Sequence, residues 1–205
     1  MDNKFQTTRE VVEYCQKYIK GKTLDFGAGN AKYRDIIKLA ADKYVTFDLI
    51  PGPNIDVVGD VLNSPFADNE FDTVISTQVL EHIEKPWLMI KEIARILKRG
   101  GTCILTVPFL VPYHPDPQDN FRFTIEGLID MFKTEGFELV ESGTYGGLFT
   151  VLSEFVHFCF FDPYKKAKFG STIVVSFIQK IANLLDKLIT NEKIYANSYI
   201  VAKRL

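Results

Sequence analysis

Over the first 140 residues, short runs of β-branched and aromatic residues alternate with longer helical patterns. The runs at 22–26, 43–48, 55–58, 71–76, 102–107 and 137–142 predict strands. Parallel strands need crossover connections, and crossover helices cover the faces of a sheet, so this alternation predicts a doubly wound α/β architecture. Pro86 suits a first helical turn, Ile90, Ile93, Ala94 and Leu97 form an apolar stripe behind it, and Gly100-Gly101 is the expected stop. Thr124 is placed to cap another helix, with Glu126 in its first turn and Gly136 at its end.

The last third has a different texture. Residues 148–161 are rich in apolar and aromatic side chains, Asp162-Pro163-Tyr164 and the basic cluster Lys165, Lys166 and Lys168 follow, and a second apolar segment runs from Ile173 to Ile189. Positions 174, 177, 178, 181, 184, 185 and 188 share one helical face. The expectation is a helical insertion, 148–190, packed on the sheet before a last strand at 198–202. The sharper readings are a substrate cover, a homodimer face or a peripheral membrane patch. Glu154, His157 and Lys180 interrupt the runs, so a membrane span is not expected.

Composition adds bounds. The chain has 205 residues, 46% of them hydrophobic, which can bury one core. No Ser/Gly linker divides it, so a single domain over 1–205 is expected, with its central part at 22–142. The polar start, Met1-Asp2-Asn3-Lys4, carries no apolar signal core, and the expected location is cytoplasmic. Net charge is −2, with the excess of Lys and Arg confined to 148–205. That asymmetry falls short of the basic stripe that nucleic acid requires. Cys15, Cys103 and Cys159 are far apart and sit in apolar or helical patterns, so neither a disulfide nor a metal site is read from them.

The chemistry begins at Leu24-Asp25-Phe26-Gly27-Ala28-Gly29-Asn30, where a strand turns toward a helix. Asp48 ends the next strand, 21 residues after Gly27, the separation at which a Rossmann-type fold offers a carboxylate to a ribose diol. A dinucleotide fingerprint asks for a third small residue at position 32, where this chain has Lys32 and then Tyr33. Asp25, poorly suited to a pyrophosphate, suits the ammonium of an amino acid. S-adenosyl-L-methionine carries both ribose and ammonium.

These stretches continue in a fixed order: Phe47-Asp48, then Gly59-Asp60-Val61 with Ser64-Pro65-Phe66, then Phe71-Asp72 through Leu80-Glu81-His82, then Glu92 through Arg95 to Gly101. Over about 22–142 the series resembles class I S-adenosylmethionine-dependent methyltransferases of the small-molecule type with a Leu-Glu-His loop. Pro108-Phe109 through His114, Asp119, Arg122 and Thr124 resemble a loop found in many bacterial members. The resemblance implies a mostly parallel, seven-stranded Rossmann-like sheet, S-adenosyl-L-methionine as cofactor and S-adenosyl-L-homocysteine as product. It implies that Asp25, Gly27 and Gly29 surround the methionine end, that Asp48 with Leu49 holds the ribose, and that Asp60 and Val61 frame the adenine. Thr77 and Gln78 then line the floor beside the sulfonium, with His82 touching cofactor or acceptor.

His114 and His82 are the candidate general bases, since an imidazole titrates near neutrality. His82 has a plainer reading, as a side chain that fixes its loop by bonding to a backbone carbonyl. The loop 108–123 is longer than an ordinary connection, as functional loops are. Within it Arg122 either anchors an acidic group of the acceptor or pairs with Asp119 to tie the loop down. Ser76-Thr77-Gln78-Val79 replaces the Asn/Asp-Pro-Pro-aromatic run of adenine-amine methyltransferases. That absence disfavours exocyclic-amine chemistry and makes oxygen the first expectation for the acceptor atom, with nitrogen and carbon open; the resemblance to bacterial members implies O-methylation of a small molecule, sugar or lipid-linked acceptor. A catalytically idle cofactor-binding scaffold and an NAD-dependent oxidoreductase are its rivals.

Overall fold

The computed structural model describes residues 5–160, 169–189 and 193–205. The cluster Lys165, Lys166 and Lys168 and the turn Asp162-Pro163-Tyr164 lie outside the described residues. Seven strands form one sheet: β1 (Lys22–Phe26), β2 (Lys43–Asp48), β3 (Val57–Val58), β4 (Phe71–Thr77), β5 (Leu97–Pro108), β6 (Phe137–Tyr145) and β7 (Asn197–Arg204), in the order β3-β2-β1-β4-β5-β7-β6. All neighbours pair in parallel except β7, which runs antiparallel to both β5 and β6. The expected doubly wound, mostly parallel sheet is the one observed. Its C-terminal strand ends gather β1, β2, β4, β5 and β6 at one edge.

Successive strand residues point to opposite faces, and the core splits accordingly. Leu24, Phe26, Val74, Cys103, Leu105, Ile200 and Ala202 pack beneath α3 (Pro86–Ile96) and α4 (Ile125–Thr134). Ile75, Ile104, Tyr199 and Val201 pack beneath α1 (Thr8–Cys15) and α2 (Arg34–Ile37). α1 opens with a capping box between Thr7 and Glu10, and Thr124 caps α4 through the Gly127 amide.

β6 runs on past 142 to Tyr145 and β7 extends beyond 198–202 at both ends, and two further boundaries shift for visible reasons. α3 ends at Ile96, not at Gly100-Gly101, because Leu97 pairs with Phe71 and opens β5; the register then slips before Thr73 meets Thr102. β3 is shorter than 55–58: at Asp56 side-chain bonds mix with the ladder, its amide donating to both the Thr46 carbonyl at 3.2 Å and hydroxyl at 2.9 Å and its carboxylate accepting from the Thr46 amide at 2.9 Å.

The insertion is helical where it is described, as α5 (Leu148–Phe160) and α6 (Phe169–Leu188). These helices pack on each other. Asp186 of α6 reaches the N-terminus of α5 and accepts from the Phe149 and Thr150 amides, each at 2.8 Å, and from the Thr150 hydroxyl at 2.7 Å. The stripe expected to pack is largely open: Val174, Phe177, Ile181, Leu184 and Leu188 are exposed and Ile178 and Leu185 half-buried, while Ala182 and Asp186 are buried. Among the described residues, no helix is long and apolar enough to cross a membrane.

Candidate active site

The turn after β1 is held by the Phe47 carbonyl, which accepts from the Gly27 and Ala28 amides at 2.9 and 3.0 Å. Gly27 has φ +80°, and a Cβ there would lie 2.5 Å from a Val79 methyl, so only glycine fits. Gly29 has φ +52° and nothing within 4 Å of where its Cβ would stand, which leaves backbone facing open space. The Gly29 amide donates to Asp48 Oδ2 at 2.7 Å, and the Ile50 amide to Asp48 Oδ1 at 2.9 Å. A carboxylate offers about four lone-pair sites, so these two bonds orient Asp48 and leave about two for a diol. This chemistry fits a ribose. Leu49 beside it is an apolar side chain left 61% exposed, suited to cover an adenosine.

Asp25 is 3% exposed and takes a 2.6 Å hydrogen bond from the Tyr44 hydroxyl. Burial lifts its carboxyl to about 6; the Tyr44 bond opposes the rise and the Asp48 charge adds to it. An ammonium arriving at this edge would hold Asp25 ionised. Asp60 turns the chain by accepting from the Leu62 amide at 2.8 Å, while the Val61 side chain is buried in the core. Thr77 ends β4, and Gln78 follows with φ +56°. Its side chain donates to Thr106 Oγ1 and to the Tyr145 hydroxyl, both at 3.2 Å. Tyr145 also meets Thr8 Oγ1 at 2.9 Å, so α1 closes over the same floor.

His82 lies in a 3-10 turn, Leu80–His82, and His114 in the long loop after β5; their rings meet edge-on with centroids 5.4 Å apart. The loop is stapled to that turn. The Asn120 and Phe121 amides donate to the Glu81 carbonyl at 2.8 and 3.2 Å, and Asn120 Nδ2 to the His82 carbonyl at 2.8 Å. Arg122 is committed to the loop: it binds both Asp119 oxygens and the carbonyls of Val111, Pro112 and Phe121. Asp119 in turn accepts from the His114 amide at 2.9 Å. Of the two arrangements open for Arg122, the pair with Asp119 is present. His114 titrates above the usual imidazole range, first because of Glu81 3.9 Å away, with burial opposing. That distance is too long for a hydrogen bond.

The structure thus brings Asp25, Gly27, Gly29, Asp48, Thr77 and Gln78, the ends of adjacent strands, to one edge with His82 and His114. Sequence reasoning passed over Tyr44, Thr8, Tyr145 and Glu81. Tyr44 reaches Asp25 across the β1–β2 pair, and no local pattern signals that. Glu81 had a signal, an acid directly after the buried Leu80.

A methyltransferase-domain family model matches residues 24–105. An uncharacterized protein of Methanocaldococcus jannaschii is 25% identical over 156 residues, 64% of this chain and 72% of that protein. The demethylmenaquinone methyltransferase of Paenarthrobacter aurescens is 30% identical over 107 residues, 47% of this chain but only 42% of that enzyme. Among solved structures, a SAM dependent methyltransferase from Archaeoglobus fulgidus aligns with a TM-score of 0.63 at 16% identity, covering 98% of this chain and 97% of that one.

Proposed function

We propose that this chain, a class I S-adenosylmethionine-dependent methyltransferase, methylates an oxygen atom of a small-molecule, sugar or lipid-linked acceptor. The observation that carries the reading is the meeting of His82 and His114 at the strand-end edge that also holds Asp48 and the glycine turn. The cofactor supplies a methyl group on positive sulfur, which an in-line acceptor displaces. The chain therefore has to align two molecules and remove one proton.

Asp48, pinned by the Gly29 and Ile50 amides, accepts from the ribose hydroxyls, with Leu49 alongside. Asp25, ionised, balances the ammonium. Asp60 and the Val61 backbone border the adenine, Gly27 and Gly29 keep the backbone clear of side chains at the methionine end, and Thr77 and Gln78 form the floor. The acceptor hydroxyl gives up its proton to the histidine cluster, His114 first among its members. Asp119 and Arg122 act as positioning residues, since they fix the loop that carries His114. β6 ends at this same edge, so α5 and α6 leave from it and serve as an apolar cover.

Calorimetry with S-adenosylhomocysteine tests the reading. Asp48→Ala should lose about 1.5–3 kcal/mol of binding, the scale of hydrogen bonds to a charged group. Asp48→Asn, which keeps one acceptor oxygen, should lose less. Unchanged affinity in Asp48→Ala, or binding of NAD in preference, would remove the assignment.

A further inference from the structure

Glu81 is fully buried, and neither of its carboxylate oxygens has a hydrogen-bond partner. Desolvating a carboxylate with no donor is costly, so something positive belongs beside it. What faces it is His82 Nε2 at 3.8 Å and His114 Nε2 at 3.9 Å. The other nitrogen of each ring is already used: His82 Nδ1 lies 2.5 Å from the Gln118 carbonyl and His114 Nδ1 3.0 Å from the Pro112 carbonyl. A carbonyl only accepts, so each Nδ1 carries the proton, and in a neutral ring Nε2 is left with a lone pair. Arg122 Nη2, 3.2 Å from His114 Nδ1, is bound to Asp119 Oδ2 at 2.6 Å and does not reach Glu81 oxygens that lack any partner. With both rings neutral, three lone-pair atoms converge within 4.8 Å of one another, and the buried Glu81 charge that favours a proton on His114 equally favours a metal cation in that proton's place.

We infer that Glu81, His82 and His114 form a site for one divalent transition-metal ion. Two imidazole nitrogens and one carboxylate oxygen suit zinc, manganese, iron or cobalt and leave coordination positions open. Ligand distances of about 2.0–2.2 Å require the three atoms to close by less than about 1 Å each. The backbone carbonyls on both Nδ1 atoms are the partners that orient metal-binding imidazoles. The chain builds this geometry from two segments, the 3-10 turn after β4 and the loop after β5, which the Asn120 bonds hold together.

The inference deepens the function proposed above and rests on it only for the ion's role. With the ion bound, the lone pairs of His82 and His114 are taken up by it, so the ion replaces the histidines as the group that activates the acceptor, whose oxygen enters an open position. The acceptor's proton leaves to water, its oxygen lone pair forms the new bond to the methyl carbon, and the carbon–sulfur pair stays on sulfur.

The test uses the full chain after chelator treatment, titrated with zinc by calorimetry and with cobalt by visible absorption, with no cofactor present. One ion per chain is expected, with cobalt bands that show nitrogen and oxygen ligation. His82→Ala and His114→Ala, each at a partly exposed side chain, should weaken binding at least tenfold and lose the bands. Zinc should raise the melting temperature of the wild type and not of the double variant. Cooperative unfolding of the metal-free variants shows that they fold. No saturable binding by the wild type, or equal binding by the double variant, would overturn the inference. Because S-adenosylhomocysteine binding is measured separately, a chain that binds it but no metal leaves the methyltransferase reading standing. A chain that binds metal but not S-adenosylhomocysteine does the reverse.

Discussion

In β4 every residue from Thr73 to Ser76 is buried, whereas in α6 the exposed positions include Val174, Phe177, Ile181, Leu184 and Leu188. Both segments are rich in apolar side chains. β4 has strands on two sides and helices on both faces, so each side chain meets protein whichever way it points. α6 has α5 for a partner, and one helix covers only a narrow stripe of another. Apolar content therefore states that a segment seeks cover; the arrangement of neighbours states whether it finds it.

The buried acids repeat the contrast. Asp186 in the helix pair is 1% exposed and receives three hydrogen bonds that cap α5. Asp25 in the sheet is 3% exposed and receives a single bond from Tyr44. One acid is part of the scaffold, and the other is held ready at the site.

The sharpest break comes from Phe47, which stacks on Phe26 at 5.1 Å and has no exposed surface. Phe47→Ala should cost about 3–5 kcal/mol of stability in urea melts, because the sheet core cannot collapse around the void. A loss under about 1 kcal/mol would mean that the core is less tightly packed than the structure shows.

Asp25 is next, and its sign is set by burial. Its folded-state value, about 6, lies above the ordinary carboxylate value, so the folded chain holds the proton more tightly than the unfolded chain. The resulting stability is fully present below about pH 4 and is lost as pH rises through about 6. Asp25→Asn cannot ionise yet still accepts from Tyr44. At pH 8 it should be more stable than the wild type by about 2–3 kcal/mol, with the gap closing by pH 4. Its affinity for S-adenosylhomocysteine should fall at the same time, which separates a site acid from a scaffold acid.

Asp186→Ala should cost about 1–2 kcal/mol, the scale of a lost helix cap. Hydrogen exchange should quicken at the Phe149 and Thr150 amides while β1, β4 and β5 stay protected. Protection lost across the whole sheet would show that the helix pair and the sheet unfold as one unit.

The smallest effect belongs to Phe177, 63% exposed on α6. Phe177→Ser should change stability by no more than about 0.5 kcal/mol. A larger loss that grows with protein concentration would reveal a second copy covering this face.

The sequence by itself determined where most strands lie, because β-branched runs bounded by glycine, proline and acids have few other uses, while the strand order, with β7 antiparallel between β5 and β6, was decided by the tertiary structure. It also placed Asp25, Gly27, Gly29 and Asp48, since a glycine turn and an acid one strand later are local features of spacing. The end of α3 was hidden because Leu97 fits a helical stripe as well as a strand, and only its pairing with Phe71 decided between them. Whether the α6 stripe is packed or open was left undecided for a similar reason: periodicity finds a stripe and says nothing of how many neighbours it meets. Tyr44 against Asp25, Tyr145 against Gln78 and Thr8, and Glu81 between His82 and His114 were decided by tertiary structure alone. Such contacts join residues from separate strands and loops, and their chemistry depends on distances, burial and missing partners that no spacing along the chain encodes.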